Sequence, residues 1–171
     1  MRATLETKLA PWTGIAFVVF AAAGFLTTPG DFLDDPESLA DLYEDELGLF
    51  LGGAQMFALA GVCLLWFSST VAAAIVANGA GDRLAGIARA GGTAATVLLL
   101  GGAAIMAVGA PIAHEEGQIS ADNASALFNA GAALAFGAMP VGAGVLVAAT
   151  SLASLRGGSF LPPSLEWAGL V

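Results

Sequence analysis

A chain of 171 residues with 57% hydrophobic side chains, 11% charged ones and a net charge of −9 is no ordinary soluble domain, which carries roughly 25% charged residues. A bilayer tolerates that much apolar surface, demanding only that backbone polar groups pair internally. The predicted class is therefore an all-α polytopic transmembrane helical bundle, with membrane lipids as its first partners. The negative charge excludes nucleic acid, whose phosphates it repels, and the single cysteine, Cys63, excludes an internal disulfide.

Apolar runs of about 18 or more residues mark spans, and four qualify, at about 11–28, 47–77, 90–112 and 124–155. The first follows Arg2 and Lys8 and ends near a run of small residues, so it also fits a signal peptide. It is long for such a segment and stays apolar past Ala21–Ala23, which favours a retained span. The second and fourth exceed the minimum, and tilting, kinking or projecting from the membrane accommodates the excess.

Between the first two spans, residues 29–46 carry eight carboxylates and no basic residue. Asp35 before Pro36 and Glu37 reads as a helix start, with a capping side chain and a proline suited to the first turn. Leu39, Leu42, Tyr43 and Leu47 then recur at helical spacing, with Asp41, Glu44 and Asp45 on other faces. This predicts an outer amphipathic helix lying on the membrane or on neighbouring helices, with Leu39, Leu42 and Tyr43 as an outer interaction face. An EF-hand starting at Asp31 would need glycine where Pro36 stands and an acid where Leu42 stands, so that motif fails; looser cation binding stays open.

All five basic residues fall on one side of this scheme: Arg2 and Lys8 before the first span, Arg83 and Arg89 between the second and third, and Arg156 after the fourth. The positive-inside rule then makes the N-terminus cytoplasmic and the acidic segments 29–46 and 113–123 extracytoplasmic in a plasma membrane. Trp12, Trp66 and Trp167 fall near the inner ends, where an aromatic belt belongs.

The centres of the spans contain no ionisable residue, which argues against a proton- or ion-driven transporter. Gln55 and Asn129 are the strongest polar groups at depth and are expected to hydrogen-bond between helices. Small-xxx-small pairs such as Ala133 and Gly137 allow close helix approach, and Pro140 removes a backbone donor and is expected to kink the fourth span. His114 with Glu115 and Glu116 has two carboxylates beside it but no second histidine, so no metal site is expected. Neither catalytic residues nor a cofactor-binding motif can be named. Past Arg156, Pro162 and Pro163 stop one helix and Ser164 opens another, which ends inside the first turns of a fifth span or lies along the interface.

"LFLGGAQ" at 49–55 and "LFNAGAA" at 127–133 are separated by 78 residues, as are the "AG" pairs at 90 and 168, while "VAAA" at 71 and "VAAT" at 147 lie 76 apart. That interval fits a duplicated two-span hairpin. The run "LLWFSSTVAAAIVANGAGDRLAGIARAGG", followed by an acidic loop and "LPPSLEWAGLV", resembles a group of uncharacterised small multi-pass membrane proteins of actinobacteria, over about residues 47–171. The resemblance implies a similar helical bundle in a bacterial inner membrane and, since the group has no assigned activity, transfers no catalytic residues. The favoured reading is a non-enzymatic accessory or interaction subunit with a membrane protein partner or self-association. A small-solute or lipid-like permease and an outer-side cation sensor are the alternatives.

Overall fold

The computed structural model describes residues 6–27 and 36–157, and among them there are only helices and short connections, with no strand. Helix α1 covers Glu6–Thr27, α2 Pro36–Asp45, α3 Leu47–Ala77 and α4 Asp82–Glu116. The last helical stretch is continuous in three parts: α5 at Ala121–Ala132, a π-helical turn at Ala133–Ala138, and α6 at Met139–Gly157. Leu47–Ala77, Asp82–Glu115 and Ala121–Gly157 are each long and apolar enough to cross a membrane, and the apolar helix Trp12–Thr27 is shorter. The Asp35 cap, the rest of 29–35 and the segment from Ser164 lie outside the described residues.

The connections are shorter than the apolar runs predict. Helix α4 begins eight residues before the predicted third span, so Arg83 and Arg89 lie in its opening turns and only 78–81 joins it to α3. Gly79 and Gly81 make that reversal with φ of 76° and 98°, a region open to glycine at little cost. At the far end α4 runs on to Glu116 and stops at Gly117, and the predicted loop 113–123 shrinks to 117–120. The Ser120 hydroxyl accepts the Asn123 N–H at 3.3 Å and opens α5. Hydropathy marks where a helix turns polar, whereas its backbone hydrogen bonds carry on into the polar residues.

Helix α4 is the most enclosed of the three long helices, and small residues let its neighbours approach. A Cβ on Gly102 would lie 2.5 Å from the Gly131 carbonyl of α5, and one on Gly91 would lie 2.8 Å from the Gly142 carbonyl of α6. The predicted pair Ala133 and Gly137 is exposed instead, with open space beside Gly137. Two apolar clusters result. One gathers Tyr43, Phe50, Phe57, Leu99, Met106 and Phe128 toward the C-terminal end of α4. The other gathers Leu64, Ile75, Leu84 and Leu146 toward its start.

The interval of 78 residues reappears in the packing. Gly24 of α1 faces the Phe57 ring of α3, while Gly102 and Ala135, each 78 residues further on, face each other between α4 and the π turn. A Cβ on Gly53 would meet Thr27 and the Gly24 carbonyl, and its counterpart on Gly131 would meet the Gly102 carbonyl. The contact of α1 with α3 and that of α4 with α5 and the π turn thus use positions 78 residues apart.

Pro140 is exposed in the first turn of α6, directly after the π turn. It has no N–H for the Phe136 carbonyl, and in an α-helix its ring would collide with that carbonyl. The wider turn, in which the Met139 N–H reaches back five residues to the Leu134 carbonyl, relieves this.

Gly102→Ala should force α4 and α5 apart and cost about 1–3 kcal/mol. Gly101→Ala, at a site with nothing within 4 Å of the added carbon, should be neutral or mildly stabilising. Thermal unfolding of the two variants in one detergent checks the pair.

Candidate functional site

The best-defined polar arrangement lies where α2 meets α4 and α5. Helix α2 packs its Leu39, Ala40 and Tyr43 side inward, with Leu42 half-buried beside them. Tyr43 is fully buried, and its hydroxyl donates to the Met106 carbonyl of α4 at 2.5 Å. Its ring stacks on Phe50 with centroids 4.2 Å apart. Gly109 makes the room, since a Cβ there would lie 2.9 Å from the ring. Nearby, Pro111 leaves the Ala107 carbonyl of α4 without its helical donor, and Tyr43 joins the helix one carbonyl earlier.

A second tie holds the outer edge: the Ile119 N–H, in the α4–α5 connection, donates to Glu44 Oε1 at 3.2 Å. Glu46 then breaks the helix at φ −119° and ψ 47°, and α3 starts at the next residue. Burial raises the Tyr43 phenol above its ordinary range, so it stays a neutral donor.

The face predicted to meet a partner is thus covered by the chain's own helices, because periodicity identifies an apolar face without saying what covers it. Glu37, Asp41, Glu44, Asp45 and Glu46 remain exposed. Glu115 and Asp122 sit at the same end of the bundle, and Arg83, Arg89 and Arg156 at the other, where Gly157 lies against Asn78 and Ala80.

Gln55 and Asn129 are not brought together. Asn129 is exposed and donates from Nδ2 to Ser125 Oγ at 3.1 Å within its own helix. Gln55 is exposed on α3 and has no side-chain hydrogen bond among the described residues. Thr96 supplies a polar link between helices instead: its hydroxyl reaches the Gly92 carbonyl at 2.9 Å and the Gly61 carbonyl of α3 at 3.4 Å. Met106 and Pro111 were missed in the sequence, whereas Thr96 was noted as a hydroxyl at depth and Gly109 as a small residue of the third span. The Pro111 gap and the glycine two residues before it were the available signals.

His114 and Glu115 are exposed in the last turn of α4, and among the described residues no three His, Cys, Asp or Glu side chains gather where they could hold a metal ion. Thr27, Phe50, Gly53, Phe57 and Met106 line a cavity of about 10 Å³, the scale of one water. An open apolar groove of about 490 Å³ runs between α4 and α6 past Gly91, Leu98, Val141 and Val145. Neither Gln55 nor Asn129 lines these spaces.

No protein-family model, curated protein or solved structure matches the chain.

Tyr43→Phe should cost about 0.5–1.5 kcal/mol, the net worth of a hydrogen bond. The raised phenol also sets a pH dependence. Burial favours the protonated form in the folded state, so this contribution is complete below the unfolded phenol's value of about 10 and is lost as pH climbs above it. Thermal melts from pH 8 upward should show an alkaline loss of stability in the parent chain that is smaller in Tyr43→Phe.

Proposed function

We propose that this chain is a non-enzymatic integral membrane protein of the bacterial plasma membrane, an interaction subunit that presents a fixed acidic surface to a basic segment of a membrane protein partner. The observation that carries this reading is the docking of α2. Its apolar side is held inside the bundle by Tyr43 and Phe50, and its carboxylates are left facing outward. A loose acidic loop would have to pay the entropy of ordering on binding; a helix already held in place avoids much of that cost.

In the full proposal α1 is a fourth span and a fifth begins at Ser164. The N-terminus is cytoplasmic, and the segments 29–46 and 113–123 are extracytoplasmic. Separation of the arginines from most of the carboxylates onto opposite ends supports that orientation. Likeness to the small multi-pass proteins of actinobacteria belongs to the same proposal.

Two measurements test it. In a Cys63→Ser background, Asp45→Cys should react with a membrane-impermeant maleimide on intact cells, and Asn78→Cys only after lysis; the reverse pattern overturns the orientation. Native mass spectrometry after gentle extraction should find a protein partner. Asp41→Lys with Asp45→Lys should lower its recovery at least tenfold, and unchanged recovery would remove the acidic surface from the interaction.

A further inference from the structure

The side of α3 turned away from α1 and α4 carries Leu51, Gln55, Ala58, Val62, Leu65 and Ser69, all exposed. They alternate at intervals of four and three residues, the seam spacing of two helices in a left-handed supercoil. Beside the same seam lies an open recess of about 470 Å³, lined by Val62, Leu65, Trp66, Ser69, Thr70 and Ala73.

Gln55 is out of place on such a face. Trp12 and Trp66 are both exposed, and they lie at one level, because Gly14 packs against Phe67. With these two as an interfacial belt, Gln55 stands eleven residues away, about 16 Å along the helix, near the middle of a hydrocarbon core of roughly 30 Å. An amide there has no water to turn to. Asn129 solves this problem locally through Ser125, four residues back. Gln55 has Leu51 and Leu59 at the corresponding places, so no neighbouring side chain can accept or donate.

We propose that two copies of this chain associate through this face of α3, with their Gln55 amides paired across a two-fold axis along the membrane normal. Each amide offers both a donor and an acceptor, so the group complements itself when a symmetric contact places it opposite its own copy. The seam carries no charge, and copies inserted in the same direction present it in parallel. Ala58 and Ser69 let the helices approach, while the recess beside Trp66 receives larger side chains such as Leu65. The inference rests on the membrane placement proposed above and leaves the acidic end of the bundle free for a different partner.

Disulfide crosslinking of the full chain in vesicles, over falling protein-to-lipid ratios and in a Cys63→Ser background, tests it. Leu51→Cys, Ala58→Cys and Leu65→Cys should form homodimers, while Val18→Cys and Val141→Cys, exposed on α1 and α6, should not. Adding Gln55→Leu should lower the seam crosslinks about fivefold or more, and Gln55→Asn should retain most of them. Equal crosslinking at seam and control positions, no effect of Gln55→Leu, or a seam adduct with the mass of another protein would each overturn the dimer. Maleimide labelling of Asp45→Cys and Asn78→Cys reads the membrane placement separately. A normal labelling pattern without seam crosslinks defeats the dimer alone, and a failed pattern defeats the placement beneath it.

Discussion

The bundle depends on how closely backbones come to α4. Lipid tails are as apolar as leucine, so helices in hydrocarbon gain little from hiding apolar side chains and must be held by contact and hydrogen bonds. Gly102 against Gly131 and Gly91 against Gly142 supply that contact on one side. On the other, Gly61 and Gly92 bring α3 close enough for Thr96 to reach a carbonyl of each helix. The side-chain part of the ordering cost is also small, because glycine and alanine have no rotamers to lose.

On this frame the acidic end is built from larger side chains. Tyr43 fills the space that Gly109 leaves near the end of α4, Phe57 packs against Gly24 of α1, and Phe50 and Phe128 complete the cluster. Tyr43 combines a stacked ring with a bond to a helix carbonyl, so it fixes both the distance and the rotation of α2. Among the described residues the opposite end has no comparable cluster of buried aromatics: Leu64, Ile75, Leu84 and Leu146 close around alanines.

Much of this was legible in the amino-acid sequence, though unevenly. Apolar run length located the three long helices, but the ends of α4 were missed because Arg83, Arg89 and His114 continue a helix that hydropathy no longer follows. Periodicity found the apolar side of α2 and left open whether the membrane or neighbouring helices cover it, since spacing says which residues share a face and not what lies against them. Gln55 and Asn129 were each expected to bond between helices because amides at depth need partners, although Ser125 four residues before Asn129 already offered a local one. Pro140 signalled an interrupted helix, but its resolution into a π turn depends on packing around Ala135. The 78-residue interval was faint among so many alanines and glycines, and in the packing it joins Gly24, which lies against the Phe57 ring, to Gly102, which lies against the backbone of the next helix.

The joint at Glu46 has a mechanical consequence. It separates α2 from α3 by a single non-helical residue, while Tyr43 ties the same short helix to α4. A load applied to the carboxylates of α2 therefore divides between a covalent path into α3 and a hydrogen-bonded path into α4. The second path yields first, so a pull on this surface would peel α2 away from α4 while α3 stayed attached to it through Glu46.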